Sequence, residues 1–193
     1  MDYIIAALGN PGPKYEYTRH NAGWLCMDVL CNALGCRLDK GKWNALVGNA
    51  VIANRRVLLM KPLTYMNESG IAVRAAADFY GILPENILVL CDDVNFDVGQ
   101  MRARRSGSDG GQKGVRSVIQ HLGTNAFPRI KIGVGKKPHP DYEMIDWVLS
   151  RFSDSELASL RSDILPRAVQ AVPLIVEGRM EEALEIVNRR GAA

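Results

Sequence analysis

Short apolar runs, each closed by a glycine, a proline or polar residues, recur along the chain and predict buried β-strands. Residues 3–8 are apolar throughout and stop at Gly9, which is typical of a central strand covered on both faces. Similar runs lie at residues 46–53, 56–60, 86–90 and 129–134. Residues 100–104 alternate apolar and basic side chains, as a half-exposed edge strand does.

Between and after these strands, apolar residues recur at helical spacing. Five helices are predicted. The first begins at Arg19, the second covers residues 67–80, and the third ends at about His121. The fourth begins at Ser153, and the fifth covers residues 180–189. Gly35 and Gly81 terminate the first two helices, because glycine readily adopts the left-handed conformation found after a last helical turn. The glycine-rich loop 106–111 precedes the third helix, and Ser108 or Asp109 can cap it.

The C-terminal part of the chain opens with a capping box formed by Ser153 and Glu156, which predicts the start of a long amphipathic helix. Pro166 and Pro173 should bend this helix, since each lacks a backbone N–H. Gly178 separates it from the last helix. We expect these bent helices to border the functional cleft.

A chain of 193 residues with 47% hydrophobic content can bury a substantial core. It shows no repeat, linker or low-complexity segment, so we expect a single α/β or α+β domain over residues 1–193. The formal net charge is only +3, but basic residues cluster between positions 102 and 137. Such a cluster fits a phosphate-bearing partner, although it can also be a solvated face.

The four cysteines are Cys26, Cys31, Cys36 and Cys91. They form no C-x-x-C pair and have no histidine partner, which argues against a zinc site and favours buried, reduced thiols in a cytosolic protein. The N-terminus lacks a basic leader, and no apolar run reaches the roughly 20 residues that a membrane helix needs. We therefore expect a cytoplasmic protein without a membrane partner.

His20 is the strongest candidate for catalysis. Its imidazole can accept a proton at neutral pH, and the carboxamides of Asn10 and Asn21 nearby can bind carbonyls or water without adding charge. A histidine in a polar loop is also commonly a cap or a surface residue. The other histidines, His121 near a helix end and His139 between prolines, are expected to be exposed and inert.

Four polar segments follow predicted strands or begin helices: residues 10–20, 65–67, 92–93 and 110–114. Ligand sites of open α/β sheets gather at such points. If these segments converge, they supply a base, a carboxylate to orient it, and carboxamides to position water and a carbonyl. No G-x-S-x-G elbow and no set of metal ligands is present, so the pattern favours hydrolysis by activated water.

Each of these signals has a simpler alternative. Asn10 before Pro11 is an ordinary turn residue. Asn67 can cap the helix behind it, the acids at 92–93 can be solvated, and Gly110 with Gly111 can be a flexible connector. Only the four segments taken together indicate a particular function.

Read in order, five segments carry a resemblance. They are Gly9-Asn10-Pro11-Gly12 with Tyr15 and Thr18-Arg19-His20-Asn21, then KPLTYMNESG at 61–70, DDVNFD at 92–97, GSDGG at 107–111 and FPRIKIG at 127–133. With these motifs at these spacings, nearly the whole chain resembles the bacterial peptidyl-tRNA hydrolase family. The resemblance implies a twisted mixed β-sheet flanked by helices on both faces. It also implies a monomeric esterase, without metal or cofactor, that cleaves peptide from the terminal ribose of tRNA.

The resemblance also implies roles for individual residues. His20 matches the family's general base, and Asp92 the acid that orients it. Asn10 and Asn67 match residues that hold the peptide and the water. Tyr15 and Met66 match positions that line the cleft near the ester.

On the tRNA side, Arg102 and Arg104 match basic positions that contact the acceptor stem, and Lys131 matches a clamp for the 5′ phosphate. The implied partner is peptidyl-tRNA, bound through its acceptor stem and 3′ end. Contacts of this kind would make binding weaken with salt and depend little on tRNA sequence.

The glycine-rich motif departs from the family's usual Gly-Gly-His-Asn-Gly, because Gln112 and Lys113 replace the histidine and the asparagine. Lysine donates hydrogen bonds but accepts none. We hypothesise that Lys113 keeps a positioning role and adds charge that stabilises the ester oxygen; alternatively, it faces tRNA phosphates. Gln112 leaves His20 as the one plausible base. Asn95 stands where an acid is common, and we expect that change to be structural.

Two other functions remain open from the sequence. One is a non-catalytic RNA-binding relative with the same fold, as in a chloroplast splicing factor. The other is a nucleotide-binding enzyme that uses the glycine-rich loop, although neither G-x-x-x-x-G-K-[ST] nor G-x-G-x-x-G follows a strand.

Overall fold

Seven strands form one mixed β-sheet in the computed structural model, which describes residues 1–189. They are β1 (Tyr3–Ala7), β2 (Lys40–Lys42), β3 (Ala45–Ile52), β4 (Arg55–Pro62), β5 (Ile87–Asp93), β6 (Met101–Arg104) and β7 (Arg129–Gly133). The order across the sheet is β2-β3-β4-β1-β5-β7-β6. The four central strands are parallel, whereas β2, β3 and β6 pair antiparallel to their neighbours. The expected mixed sheet is therefore confirmed, and β6 is an edge strand as predicted.

Helices cover both faces of this sheet. They are α1 (Ala22–Leu34), α2 (Ser69–Tyr80), α3 (Lys113–Leu122), α4 (Met144–Leu149), α5 (Asp154–Ser159), α6 (Leu165–Val176) and α7 (Met180–Val187). The glycines after α1 and α2 adopt φ of 62° and 66°, which confirms both predicted ends. None of the helices within residues 1–189 is long and apolar enough to cross a membrane.

The alternation of side chains along β1 divides the core into two layers. Ile5 and Ala7 pack with apolar residues of α1, α6 and α7, whereas Ile4, Ala6 and Leu8 pack with those of α2 and α3. Both sets are fully buried. Because every β1 side chain leaves water, the central strand is apolar throughout, as its sequence predicted.

Several predicted elements differ in detail. The strand β2 and the helix α4 have no counterpart in the sequence prediction. The predicted long bent helix is instead α5, one π-helical turn at Leu160–Ile164, and α6. Pro166 lies in the first turn of α6, next to that π-helical turn, where its missing N–H removes one helical hydrogen bond. The capping box of Ser153 and Glu156 is formed as predicted.

The predicted cap of α3 is wrong. Asp109 Oδ1 accepts a hydrogen bond from the Gly111 backbone N–H at 2.6 Å, inside the preceding loop. The cap is the buried Gln112 side chain, whose Oε1 accepts from Val115 N at 2.7 Å. The loop uses its short acid to close its own turn, so the helix begins later than expected.

The side chains expected to be inert also require two corrections. Cys26, Cys31 and Cys91 are buried, but Cys36 is only half-buried, and all four thiols are unpaired. Burial raises the pKa of Cys26 and Cys91 to about 12, so both remain protonated. His139 is exposed as predicted, whereas His121 is half-buried and its Nδ1 lies 2.8 Å from the Ser117 carbonyl oxygen.

The packing of α1 against the sheet determines where its N-terminal turn lies. A Cβ at Gly23 would lie 2.4 Å from the Leu90 carbonyl oxygen and 2.7 Å from the Leu8 carbonyl oxygen. Only glycine permits this approach of α1 to β1 and β5. The 3₁₀ turn Arg19–Asn21, immediately before α1, is consequently held at the carboxyl ends of these strands.

Candidate active site

A cleft of about 540 Å³ opens at the carboxyl ends of the central parallel strands. Its lining includes residues of all four segments that the sequence predicted to converge: Asn10, His20, Met66, Asn67, Asp92, Asp93, Gly110, Gly111 and Lys113. Segments as far apart in the chain as Asn10 and Lys113 therefore meet at one edge of the sheet, as the topological argument requires. Tyr65 and Gln112, which lie within the predicted segments but were given no binding role, also line the cleft, and one face of α4 lines it without having been predicted.

His20 and Asp92 form the centre of the cleft. Asp92 lies near the end of β5 and its side chain is 2% exposed; His20 lies in the turn before α1 and its side chain is 12% exposed. The distance from His20 Nδ1 to Asp92 Oδ2 is 2.9 Å. An ionised carboxylate can only accept, so Nδ1 carries the proton and Nε2 is left as the basic nitrogen.

Opposing influences set the proton affinity of His20. Burial on its own lowers the pKa of this histidine, but the charge and the hydrogen bond of Asp92 outweigh burial, and Lys113 lowers the pKa by a smaller amount. The net result is a pKa of His20 above its ordinary value of 6.5. A base with such a pKa is suited to accept a proton near neutral pH.

Asp92 is also held from its other side. Gln112 Nε2 donates to Asp92 Oδ1 at 2.9 Å, so both carboxylate oxygens have a protein partner. The same Nε2 lies 3.1 Å from Met66 Sδ. The sequence prediction treated Gln112 only as the loss of a titratable histidine, because nothing along the chain indicates that it contacts an aspartate 20 residues away.

Asn10 is fixed by its neighbours in an orientation suited to binding. Its Oδ1 accepts from Met66 N at 2.8 Å, so Nδ2 is the polar atom left for the cleft. Asn21 holds the Asn10 backbone from both sides, accepting from its N–H at 2.8 Å and donating to its carbonyl at 3.0 Å. Asn21, which the sequence suggested as a second binding carboxamide, is therefore committed to the protein itself.

The segment 65–67 forms one wall of the cleft. Tyr65 has φ of 59°, an unusual value for a residue with a side chain, and the residue is 56% exposed. Met66 is buried and lines the cleft, whereas Asn67 is exposed beside it. The Asn67 side chain does not cap the following helix, so the simpler alternative for this residue is wrong. Tyr15 lies outside this wall, edge-on to Tyr65 with ring centroids 6.5 Å apart.

An apolar wall faces these polar groups. It is formed by Met144, Ile145, Val148 and Leu149 of α4. The sequence prediction assigned the border of the cleft to the bent C-terminal helices. That prediction is wrong within residues 1–189, because none of α5, α6 and α7 lines the cleft.

Arg19 joins the histidine turn to the C-terminal region. Its buried guanidinium makes a two-pronged ion pair with Glu156 at 2.9 and 3.0 Å and donates to the Val134 carbonyl at 2.8 Å. The same guanidinium lies 3.9 Å from the ring centroid of Trp147 in α4. The residue before His20 thus fixes both the apolar wall and the start of α5.

A second, cationic cavity of about 250 Å³ adjoins the cleft, and both are lined by Asp93 and Asn95. Arg102, Arg104 and Lys131 line it together with the loop 106–108. Lys131 Nζ lies 2.8 Å from Asp93 Oδ2. Within the described part of the chain, Arg102 and Arg104 have no acidic partner.

Asn95 organises the loop between the two cavities. Its backbone N–H and its Nδ2 both donate to Asp93 Oδ1 at 2.8 Å. This geometry accords with the expectation that asparagine at this position is structural.

Other members of the basic cluster are already used by the protein. Arg129 is fully buried and donates to carbonyl oxygens of the surrounding loops, including that of Gly107 at 3.0 Å. Arg105 pairs with Glu181 at 2.9 Å, and Arg116 pairs with Asp109 at 3.1 Å. The cationic surface available to a ligand is therefore smaller than the count of basic residues suggests.

Fold and geometry together define an α/β protein with a buried histidine–aspartate pair in a cleft that continues into a cationic cavity. The family model described as "Peptidyl-tRNA hydrolase" matches residues 4–193. The chain belongs to the peptidyl-tRNA hydrolase family, and it is accordingly an enzyme of the hydrolase class.

Individual relatives agree with this assignment. The chain is 46% identical over 188 residues to the peptidyl-tRNA hydrolase of Caldicellulosiruptor saccharolyticus, with 97% of each chain covered. It is 47% identical over 185 residues to that of Moorella thermoacetica, covering 96% of this chain and 97% of the relative. The crystal structure of the peptidyl-tRNA hydrolase from Acinetobacter baumannii superposes with a TM-score of 0.92 at 33% identity, covering 100% of this chain and 97% of that one.

Proposed function

We propose that this enzyme hydrolyses the ester that joins a peptide, or an N-blocked amino acid, to the 3′-terminal ribose of tRNA. The observation that carries the proposal is the 2.9 Å contact between His20 Nδ1 and Asp92 Oδ2, in a cleft that continues into a cationic cavity. The names of the relatives, at 46% and 47% identity, point to the same substrate.

The reaction begins with a water molecule beside His20. Nε2 removes a proton as the water oxygen attacks the ester carbonyl, and Asp92 stabilises the imidazolium that forms. The tetrahedral intermediate then collapses, and the bond between the carbonyl carbon and the ribose oxygen breaks. His20 returns its proton to that oxygen, so the products are a free carboxylic acid and tRNA with its terminal ribose hydroxyl restored.

Neutral amides hold the peptide in this proposal. A peptide backbone offers N–H and C=O groups, which Asn10 Nδ2 and the exposed Asn67 carboxamide can pair with at small desolvation cost. Met66 lines the cleft near the ester, and Tyr15 supports Tyr65 at its rim. Lys113, exposed at the first turn of α3, donates to the negative charge that develops on the carbonyl oxygen.

The cationic cavity takes the tRNA end of the substrate. Arg102 and Arg104 extend from the exposed face of β6, where they can reach phosphates of the acceptor stem. Lys131 lies deeper and meets the 5′ phosphate. Because such contacts read charge and not base identity, one site can serve tRNAs of different sequence.

We further propose that residues 1–193 act as one domain and that the enzyme works as a monomer in the cytoplasm. The family model extends over residues 4–193, which include the last four residues outside the described structure.

The test is hydrolysis of an N-blocked aminoacyl-tRNA by the parent protein and by His20→Ala. A general base contributes about 10²–10⁴-fold, so the variant should lose that much in kcat while remaining folded by circular dichroism. His139→Ala, which changes an exposed histidine away from the cleft, is the matched control and should retain activity. Ester cleavage absent from the parent protein would favour the non-catalytic RNA-binding alternative, and full activity in His20→Ala would refute the proposed base.

A further inference from the structure

The Gln112 side chain lies buried behind the histidine–aspartate pair, and its amide has a single possible orientation. Nε2 donates to Asp92 Oδ1 at 2.9 Å, and Oε1 accepts from Val115 N at 2.7 Å. If the amide were flipped, Nε2 would face the Val115 N–H and Oε1 would face the Asp92 carboxylate. Both contacts would then be repulsive, so the donor must point at Asp92.

We propose that Gln112 is a positioning residue, which holds the Asp92 carboxylate aimed at His20 and leaves His20 as the group through which the site responds to pH. This inference rests on the proposed function, in which His20 is the base. Gln112 acts through Asp92 and has no role in the bond-breaking steps themselves.

The hydrogen bonds of Asp92 support this role. Its carboxylate is 2% exposed, so without Gln112 the oxygen Oδ1 would be buried with no donor. With Oδ1 bonded to Gln112 and Oδ2 to His20, the carboxylate plane is fixed, and this plane in turn fixes the imidazole.

The charged groups around His20 make position 112 a sensitive one. Asp92 on β5 and Lys113 on α3 are the charges that act on His20. The neighbouring Asp93 is held by Lys131 at 2.8 Å, and the α4 wall is apolar. A charge introduced at Gln112 would therefore act directly on the Asp92–His20 pair, with no other acid or base between them.

Gln112→Glu tests the proposal. Its carboxyl group can still accept from Val115 N, so the cap of α3 is retained, but a second acid now shares the site of Asp92. The cluster then binds a proton more tightly, and the acid limb of the pH profile of kcat/KM should move up by about one pH unit. Gln120→Glu makes the same change on the exposed face of the same helix, and its profile should match that of the parent.

The imidazole signal of His20 in a proton NMR titration gives a second readout, and His20→Ala identifies that signal among the three histidines. The titration midpoint should rise in Gln112→Glu and stay in place in Gln120→Glu. Superimposable profiles and midpoints in Gln112→Glu and the parent would overturn the proposal.

Gln112→Met covers the case in which the acidic variant does not fold. Methionine keeps the length and the contact with Met66 but can neither donate to Asp92 nor accept from Val115 N, so in the folded variant kcat should fall by about tenfold with KM little changed. Unchanged kcat in Gln112→Met would refute the positioning role. If His20→Ala is inactive while both Gln112 variants behave as the parent, this inference alone fails; if His20→Ala is active, the proposed function fails first.

Discussion

At the scale of single residues, the proton affinity of His20 depends on one short contact. Burial lowers the pKa of His20, and it is the Asp92 carboxylate at 2.9 Å that raises it above the ordinary value. An imidazole with a raised pKa becomes protonated, and therefore inactive as a base, at a higher pH than a free histidine. We expect the activity to fall as the pH drops through this raised pKa.

Asp92→Asn separates the two influences. The amide removes the charge that raises the pKa of His20 while the burial that lowers it remains, so the acid limb of kcat/KM should move to lower pH. The plateau should fall by about 10²-fold or more, because an amide N–H can bind Nδ1 and favour the wrong tautomer. The measurement is the full pH profile with an N-blocked aminoacyl-tRNA, and an acid limb that stays in place would contradict the role of Asp92.

Lys113→Asn tests a second charge near the same imidazole. Lys113 lowers the pKa of His20, so its removal should move the acid limb to higher pH, opposite to Asp92→Asn. If Lys113 also stabilises the ester oxygen, kcat should fall by about tenfold at the plateau. Lys40→Asn, an equal change of charge on the far edge strand, is the control. Unchanged turnover with weaker tRNA binding would assign Lys113 to the phosphates instead.

At the scale of elements, the ion pair of Arg19 and Glu156 connects the histidine turn to α5. Burial raises the pKa of Glu156, but the hydrogen bonds from Arg19 and from Ser153 outweigh burial and give a net lowering. A carboxyl group with a lowered pKa in the folded protein stabilises it fully above the unfolded value of 4.5. This stabilisation is lost as the pH falls through the folded pKa.

Glu156→Gln should therefore lower the free energy of unfolding at pH 7 by about 1–2 kcal/mol, since a partly buried charged hydrogen bond is lost. The difference from the parent should shrink as the pH drops below 4.5. Urea unfolding at several pH values measures it. Asp78→Asn breaks the exposed pair with Arg74 and should cost less than about 0.5 kcal/mol. An equal effect of the two substitutions would contradict the importance assigned to Arg19 and Glu156.

Elements with a long apolar repeat could be predicted from the sequence, and those without one could not. The helices α1 and α2 each bury a full stripe and end at a glycine, so pattern and terminator agree. By contrast, α4 has six residues, only Val148 of which is buried, and no side-chain cap. Its apolar residues do recur at helical spacing, but over six residues the repeat is too short to predict a helix from the sequence pattern.

The same limit applies within the site. His20, Asp92, Asn10 and Lys113 follow strands or begin a helix, and the open α/β pattern predicts that such residues meet. The role of Gln112 depends on how the start of α3 packs against β5, which is a contact in space that no local pattern encodes. Asn21 was expected to bind a ligand, and this expectation is wrong because its carboxamide is hydrogen-bonded to the Asn10 backbone. That contact, too, has no signal in the sequence.

At the scale of the whole molecule, the strand order places the cleft with the histidine–aspartate pair and the cationic cavity side by side. Pairing of β5 with β7, and of β7 with β6, brings Asp92 within one strand of Lys131 and within two of Arg102. Each of these three strands could be predicted from the sequence, but their order across the sheet could not. The cleft and the cationic cavity consequently share a wall, formed by Asp93 and Asn95.

The wall shared by the cleft and the cationic cavity leads to a prediction about how kcat/KM depends on salt concentration. Lys131 is paired with Asp93 at 2.8 Å, and a substrate phosphate must share or replace that partner. Lys131→Ala should raise KM, leave kcat little changed, and reduce the magnitude of the log–log dependence of kcat/KM on salt by about 0.7–0.9, the value for one phosphate contact. Lys40→Ala, at the opposite edge of the sheet, should leave this slope unchanged.

A tRNA without its 5′ phosphate distinguishes a contact between Lys131 and that phosphate from general attraction to the tRNA backbone. With a tRNA lacking its 5′ phosphate, the parent should approach the KM of Lys131→Ala, and the variant should show little further change, because the two alterations remove the same contact. If the effects of the two alterations multiply, Lys131 binds elsewhere on the acceptor stem. A Lys131→Ala slope equal to that of the parent would remove Lys131 from the tRNA-binding surface, and the two arginines of β6 would then be the remaining candidates for anchoring the substrate.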